Sequence, residues 1–349
     1  MGKERVSIYH IAKEAGVSPA TVSRVLTHNA NVSDEKRIRV EELILKYDFR
    51  PNAMARGLSN TQSKIIGLLA PDIRNPFYAN LAVECERAAS ESGYILMLCN
   101  SMNNLVMEEY HLQKMFEQRV DALILMGGRV DELVSDEEYV EKMNQIAGTT
   151  PVVITGKLDG SDCFQVNIDE AQAMDKLMEY LIHNGHSNIC LMGGRKNVNS
   201  TYSKRIRYRG SLRKYGIPFR TEYMVETQEY SLEAGYQAMN DLFDSKIELP
   251  TAIIAINDLT ALGIVQSIRQ HSLRIPEDIS VASFDNTFLA ASCTPRLTSV
   301  GYNYDKFGDK LVETAIAALE GKNPEKLQLI PPELVVRESC RSILTEGLY

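Results

Sequence analysis

Apolar residues recur with helical spacing near the start of the chain, over residues 7–26. Ser7 is a suitable N-cap, and the apolar residues after it lie three and four positions apart, which predicts one apolar stripe on a helix: Ile8, Ile11, Ala12 and Ala15. Gly16 breaks this helix, and Ser18 followed by Pro19 starts a second one whose apolar side can face the first. Two short helices joined by a tight turn are typical of a helix-turn-helix, which places its second helix in the major groove of DNA, and also of a surface helical hairpin.

The helical pattern continues to residue 47 and then weakens. Ser33 can cap a third helix with an apolar stripe that would complete a small core: Val40, Leu43, Ile44 and Tyr47. Residues 49–64 contain only a short Ala, Met, Arg and Leu stretch after Pro51. A helix this short is barely stable alone, so we expect it to form when a partner or DNA packs against it. The sequence thus predicts an all-α head over residues 1–50 and a hinge helix with its linker over residues 51–64.

From residue 65 onward, short apolar runs alternate with amphipathic helical segments. Continuous apolar strands that alternate with helices predict parallel sheets covered on both faces, and residues 65–349 are enough for two doubly wound lobes. The predicted fold class is therefore α/β behind an all-α head. The predicted strands are residues 65–70, 95–98, 122–126, 152–155, 189–192, 252–256 and 280–284.

Charge is divided unevenly along the 349 residues. Residues 1–64 contain 11 Lys and Arg against 7 Asp and Glu, whereas the remainder contains 27 against 39, and the whole chain has a net charge of −8. Only the head is electrostatically suited to DNA phosphates, and a net acidic body disfavours DNA contact elsewhere.

Other function classes find little support in the sequence. No apolar run approaches the roughly 18 residues that span a bilayer, and residues 1–10 lack the apolar core of a signal peptide, so we expect a cytoplasmic protein without membrane contact. The six cysteines form no CxxC pair and the histidines show no ligand spacing, which predicts free thiols and no metal site. Glycine pairs follow two strands, but no complete phosphate-binding motif occurs, so nucleotide binding is weakly supported and no cofactor is expected. No Ser/His/Asp arrangement indicates an enzyme, and no catalytic residue is assigned.

Ligands of doubly wound sheets bind beyond the carboxyl ends of the strands. The residues at those ends here are rich in amides, carboxylates and aromatic side chains, which can bond to sugar hydroxyls or stack on a sugar ring. They are Asn75, Phe77 and Tyr78 after the first strand, Met126 at the end of the third, Asn257 and Asp258 after residues 252–256, and Asp285 after residues 280–284.

Several segments resemble the lactose and galactose repressor (LacI/GalR) family of transcription factors. GVSPATVSRVL at 16–26 and PNAMARGL at 51–58 are similar to that family's recognition and hinge helices. Residues 65–81, 252–263, 275–286 and 294–300 are similar, in the family's order, to its effector domain of periplasmic-binding-protein type. The resemblance implies three crossings between lobes, near 164–169, 290–297 and 327–332. It thus implies a first lobe of about 65–163 with 295–326 and a second of about 164–294 with 327–349.

In the head, the helix pattern and the resemblance together assign contacts with double-stranded operator DNA. Arg24 is expected to bond to a guanine, while Ala20 and Thr21 contact neighbouring bases. The expected phosphate contacts are Ser7, Tyr9, Ser18, Ser23 and Asn31. The hinge contacts that the resemblance implies are Asn52, Ala55, Arg56 and Leu58. Leu58 would enter the minor groove and kink the operator, or else it only packs the linker helix.

In the body, the resemblance implies that Arg207 contacts the effector, that Tyr230 forms an aromatic wall and that Asp285 supplies an acid. Each has a structural alternative. Arg207 and Asp285 could be an ion pair between the lobes, and Tyr230 could be a core residue. Asp258 could simply cap the next helix.

Four positions depart from the family's pattern. Pro19 stands where other members often place a base-reading side chain, and His10 replaces a commonly acidic residue. Gly156 and Lys157 stand where many sugar-responsive members carry an acid and an arginine. Neither the operator nor the sugar can therefore be copied from a relative.

The sequence predicts a transcriptional repressor that binds a near-palindromic operator as a homodimer. Its effector is expected to be a small molecule, a sugar or sugar derivative, bound between the two lobes. One alternative is a global catabolite regulator whose co-effector is a phosphorylated protein bound on the lobe surface. Another is a solute-binding module of a transport system, against which the DNA-binding head argues.

Overall fold

The computed structural model of the chain describes residues 6–26, 32–49 and 62–344. The chain divides into two compact units, Met1–Ser63 and Lys64–Tyr349. The predicted hinge helix 51–58 lies outside the described residues. So do five of the predicted DNA contacts: Asn31, Asn52, Ala55, Arg56 and Leu58.

Three helices account for the described part of the first unit: α1 Ile8–Ala15, α2 Pro19–Leu26 and α3 Asp34–Lys46. Their apolar stripes meet in a core in which Ile11, Val22 and Val40 are fully buried. Gly16 follows α1 with a φ of 67°, a left-handed conformation that favours glycine, and so turns the chain into α2. The predicted three-helix core is confirmed.

The second unit contains two six-stranded sheets packed against helices. The first six strands along the chain are β1 Ile65–Ala70, β2 Ile95–Asn100, β3 Ala122–Met126, β4 Val152–Thr155, β5 Phe164–Ile168 and β6 Ile189–Met192. The other six are β7 Met224–Val225, β8 Ala252–Ala255, β9 Ser280–Asp285, β10 Thr298–Tyr302, β11 Leu327–Ile330 and β12 Pro332–Val335. The helices are α4 Pro76–Glu91, α5 Leu105–Glu117, α6 Glu137–Ala147, α7 Glu170–His183, α8 Asn199–Lys214, α9 Leu232–Asp244, α10 Asp258–Gln270, α11 Phe288–Ser292 and α12 Tyr304–Leu319.

The order of the strands shows two doubly wound lobes. The first sheet has the order β11–β5–β4–β3–β1–β2 and is entirely parallel. The second has the order β12–β10–β9–β8–β6–β7, in which only β12 runs antiparallel. The predicted α/β class is confirmed. The strand order reverses at β1 and at β6, so a ligand crevice is expected beyond the carboxyl ends of these strands.

The structure corrects the predicted limits of the two lobes. β5 and β11 belong to the first sheet, although the predicted second lobe begins at residue 164 and resumes at residue 327. β10 belongs to the second sheet, although it falls within the predicted first-lobe segment 295–326. The chain therefore passes between the sheets after β5, after β10 and after β11. These three strands mix polar and apolar residues, so they lack the continuous apolar run that identified the others.

Several classes of site can be checked directly within residues 6–26, 32–49 and 62–344. No helix there is long and apolar enough to cross a membrane. No cluster of three or more His, Cys, Asp or Glu side chains in the same residues could hold a metal ion. All six cysteines are free thiols.

Candidate functional site

The two helices of the predicted DNA-reading segment begin at the caps that the sequence indicates. The Ser7 hydroxyl accepts a hydrogen bond from the His10 amide at 3.3 Å, at the start of α1. The Ser18 hydroxyl accepts one from the Thr21 amide at 3.1 Å, at the start of α2. These bonds satisfy amides that have no partner inside a helix, and they fix where each helix begins.

One side of α2 packs on the core and the other faces solvent. Val22 and Val25 are buried, whereas Ala20 and Arg24 are exposed. Of the other predicted DNA contacts, Ser7, Tyr9 and Ser18 are exposed and Thr21 and Ser23 are half-buried. The structure therefore leaves this face of the head accessible, as a major-groove helix requires.

A polar cluster that the sequence did not indicate joins α1 to α3. The carboxylate of Glu14 accepts hydrogen bonds from the Lys46 ammonium and the Tyr47 hydroxyl, both at 2.7 Å. These bonds lower the pKa of Glu14. His10, which departs from the family's pattern, lies with its Nε2 3.5 Å from Glu14 and its ring edge-on to Tyr47. The residues of this cluster are distant in the sequence, so no local pattern reveals it.

In the second unit, the N-terminus of α4 brings aromatic side chains to the crevice. The Asn75 side chain caps this helix by accepting a hydrogen bond from the Phe77 amide at 3.0 Å. The Phe77 ring packs edge-on against Tyr302 and Tyr304, with centroids 6.2 and 5.9 Å apart, so it belongs to an aromatic cluster that joins the two lobes. Tyr78 lies among charged and phenolic groups, and burial raises the pKa of its hydroxyl.

Asp285 ends β9 in the crevice with a φ of 91°, a strained conformation for a residue with a side chain. Its backbone carbonyl accepts a hydrogen bond from the Tyr304 hydroxyl at 3.0 Å. No residue in the described part of the chain donates a hydrogen bond to its carboxyl group. Burial, and then the nearby Asp258, raise the pKa of Asp285 well above the ordinary value. This carboxyl therefore has capacity to bind a ligand.

Asp258 is not available to an effector, contrary to the prediction, and it does not cap its helix either. Asn257 is the N-cap of α10, because its side chain accepts a hydrogen bond from the Thr260 amide at 2.8 Å. The Asp258 carboxylate is almost fully buried and accepts four hydrogen bonds from protein groups. The donors are the hydroxyls of Ser283 at 2.6 Å, Ser299 at 3.0 Å and Thr287 at 2.9 Å, and the Thr287 amide at 2.6 Å. Asp258 thus ties together α10, β9, β10 and the start of α11.

The structure places the predicted Arg207 at the surface and buries its neighbour Arg205 beside the loop that follows β6. Arg207 lies on the outer side of α8, where its guanidinium forms an ion pair with Asp175. Arg205 is buried, and its Nη2 donates to the carbonyl of Gly194 at 2.9 Å, in the loop after β6. Its Nε has no hydrogen-bond partner in the described segments.

Two other predicted residues build the wall of the crevice. The Tyr230 hydroxyl is 2.8 Å from the Thr201 hydroxyl and accepts a weak hydrogen bond from the Arg195 amide at 3.4 Å. The Asn257 side chain donates to the Tyr230 carbonyl at 3.2 Å. Met126, by contrast, packs into the core of the first lobe at the end of β3, and its contact with an effector stays a prediction.

Comparison with known proteins agrees with this division into two units. Residues 7–52 match the profile described as "Bacterial regulatory proteins, lacI family". Residues 178–340 match the profile described as "Periplasmic binding protein-like domain".

The most similar curated proteins include two regulators. Catabolite control protein A of Priestia megaterium is 37% identical over 84% of this chain and 87% of its own length. The HTH-type transcriptional regulator DegA of Bacillus subtilis (strain 168) is 30% identical over 98% of this chain and 100% of its own length.

Among solved structures, the lac repressor dimer bound to operator and the anti-inducer ONPF has a TM-score of 0.86 at 23% identity. It covers 96% of this chain and 99% of its own. The transcriptional regulator CelR–cellobiose complex has a TM-score of 0.70 at 24% identity, over 96% of this chain and 100% of its own. At these identities the likeness supports the fold.

Proposed function

Because the chain belongs to the LacI family of bacterial regulatory proteins, we propose that it is a repressor whose effector is a small carbohydrate bound in the crevice between its lobes. Members of this family are DNA-binding transcriptional regulators and not enzymes. The observation that carries the effector proposal is the Asp285 carboxyl, which is half-buried at the carboxyl end of β9 and receives no hydrogen bond from the described residues.

A neutral polyhydroxyl ligand fits this group. A carboxyl whose pKa is raised by burial can both donate and accept hydrogen bonds, and a sugar hydroxyl needs both. The phenols of Tyr78 on the first lobe and Tyr230 on the second offer further bonds from opposite lobes. A ligand that bonds to both lobes would bind the closed form better than the open form, which is what couples binding to a change in shape.

Replacing Asp285 with asparagine is expected to weaken effector binding about 10- to 100-fold, because one of the two carboxyl oxygens, which can accept a hydrogen bond, becomes an amide nitrogen that can only donate. The fold should persist, since the two side chains have the same shape. A thermal-shift screen of mono- and disaccharides and sugar phosphates identifies the ligand, and calorimetry compares the variant with the wild type.

The matched control is Asp175→Asn, which removes the partner of Arg207 on the outer side of α8. It should leave effector affinity unchanged. Equal affinity of Asp285→Asn and wild type would contradict the role of Asp285, and a wild-type protein that responds to no carbohydrate would contradict this class of effector.

We also propose that the functional unit is a homodimer formed through the first lobe. Edge strand β2 and the start of α5 expose large apolar side chains: Ile95, Leu98, Leu105, Val106 and Tyr110. An apolar surface next to an open sheet edge favours association with another chain, and a second copy would supply the second head for a palindromic operator.

Replacing Val106, which is 77% exposed, with aspartate is expected to weaken the dimer at least about tenfold, because a charge would be buried at the interface. Sedimentation equilibrium measures the change, and operator affinity should fall with it. Leu329→Asp, at an exposed apolar position on the opposite edge strand β11, is the control. If both variants remain dimeric, this interface is wrong.

The second candidate function is global catabolite regulation with a phosphorylated protein as co-effector. It is favoured by the 37% identity to catabolite control protein A of Priestia megaterium. Insensitivity of operator binding to every small sugar, together with higher operator affinity in the presence of a serine-phosphorylated partner protein, would support this candidate over the first.

A further inference from the structure

Besides the aromatic cluster around Phe77, the two lobes contact each other through a short segment from each, which we call the interlobe clasp: residues 130–133 of the first lobe and 197–200 of the second. The Ser200 hydroxyl donates to Asp131 Oδ2 at 2.6 Å, and the Ser200 amide is 3.2 Å from Asp131 Oδ1. The Leu133 amide donates to the Asn197 carbonyl at 2.8 Å. Glu132 and Val198 form an antiparallel bridge. These bonds connect the lobes by side chain and by backbone.

The clasp depends on a glycine at a position that already stands out in the sequence. Gly156 has a φ of 155°, and a Cβ there would lie 2.0 Å from the carbonyl oxygen of Val130. The same carbonyl accepts a hydrogen bond from the Lys157 amide at 2.7 Å. A side chain at 156 would therefore displace residue 130 and the clasp segment that follows it.

Gly156 is itself held in place. The Asn167 side chain on β5 accepts a hydrogen bond from the Gly156 amide at 2.7 Å and donates one to its carbonyl at 2.8 Å. The first-lobe half of the clasp is therefore built on β4 and β5 of the first sheet.

Asp131 lies in the interior where the lobes meet. The charged and phenolic groups that face it are Glu170 at the start of α7, Lys204 on α8 and Tyr78 on α4. Burial raises the pKa of Asp131 to about 6, whereas the hydrogen bonds from Ser200 lower it. A carboxyl group exposed to water in an open form would titrate near 3.8.

We propose that the clasp holds the two lobes closed in the absence of any small molecule, so that an effector acts on a body that its own chain has already closed. This proposal rests on the effector site of the proposed function. The closed form is then the basal state of the regulator, and residues 131 and 200 set how readily the crevice opens.

The test uses the full chain without DNA or effector, at about pH 5, where the Asp131 carboxyl is mostly protonated in the closed form and no charge is buried in the clasp. Hydrogen exchange is measured at the Leu133 and Ser200 amides, which donate within the clasp, and small-angle scattering measures the radius of gyration. In the wild type we expect slow exchange at both amides and scattering that fits the closed body. In Asp131→Ala both amides should exchange at least about tenfold faster, and the radius of gyration should rise. Gly156→Ala should have the same effect through displacement of residue 130.

The conservative variant Asp131→Asn keeps an oxygen that accepts from Ser200, so it should restore protection. Asp159→Ala removes an exposed carboxylate on the same lobe and is the matched control. The proposal would be overturned if scattering from the wild type fitted an open body. It would also be overturned if the Leu133 and Ser200 amides exchanged as slowly in both Asp131→Ala and Gly156→Ala as in the wild type. Failure of the effector proposal would show instead in the carbohydrate screen, which this experiment does not use.

Acidity supplies a second readout. The raised pKa means that closing takes up a proton, so closure is most favoured below about pH 4 and loses strength as the pH rises through about 6. Between pH 7.5 and 5.5 the closing equilibrium should shift about fourfold towards the closed form. Asp131→Asn should abolish this dependence, and a wild type that shows no shift in amide protection over this range would contradict burial of an acid in the clasp.

Discussion

Replacement of Arg24 with alanine is expected to remove most of the discrimination between the operator and unrelated DNA. Arg24 lies on the exposed side of α2, next to Val25, which packs into the head's core and fixes the direction of that side. A bidentate bond from arginine to guanine contributes about 1 to 3 kcal/mol of discrimination at each site. A dimer makes this contact twice, so the expected loss in the specificity ratio is roughly 30-fold to 25,000-fold.

The measurement is a pair of titrations at one fixed salt concentration, against the operator and against a scrambled duplex of the same length. Fixed salt is necessary because phosphate contacts make all DNA affinities depend on it. Lys13→Ala removes an equal charge from the exposed side of α1 and is the control. It should weaken both duplexes alike. If Arg24→Ala also weakens both alike, Arg24 contacts a phosphate and does not read a base.

The head was predictable from the sequence because its determinants are local. Ser7 and Ser18 are caps within three residues of the amides they bond, and Gly16 occupies the left-handed turn between the helices. The interhelical cluster at Glu14 was not predictable, since it joins residues from distant parts of the sequence. Local patterns therefore indicated the helices but not the polar bonds between them.

In the two lobes, the sequence identified the strands that are buried on both faces, such as β3 and β8, because these are continuous apolar runs. It missed β5 and β11, which are more polar, and so it misplaced the lobe boundaries. Their place in the sheet is determined by pairing with distant strands, and no short window contains that information.

The different surroundings of Arg205 and Arg207 follow from the helical period of α8. Tyr208 and Leu212 are buried residues on α8, and the position one helical turn before Tyr208 on the same side is occupied by Lys204 and Arg205. Arg207 falls outside that stripe and pairs with Asp175 at the surface. The helical period therefore explains why Arg205 is buried and Arg207 is exposed, and the contact of Arg207 with an effector stays a prediction that the resemblance implies.

Removing the carboxyl group of Asp258 is expected to lower the free energy of unfolding by about 3 to 5 kcal/mol, more than any of the other substitutions. Asp258→Ala leaves the hydroxyls of Ser283 and Ser299, and the hydroxyl and amide of Thr287, without their acceptor in a buried site. Burial raises the pKa of Asp258, and the hydrogen bonds from these four donors oppose that rise. The hydrogen bonds therefore replace the solvation that the carboxyl group loses on folding.

Urea unfolding of the variant and of the wild type measures this difference, with the midpoint and slope fitted together. Asp285→Asn is the informative comparison, because it changes the neighbouring acid and should leave unfolding nearly unchanged while it weakens effector binding. Asp258 would then act in stability and Asp285 in effector binding, although both lie at the ends of central strands of the second sheet. A stable Asp258→Ala variant with impaired effector binding would reverse the assignment and return Asp258 to the crevice as a ligand-binding residue.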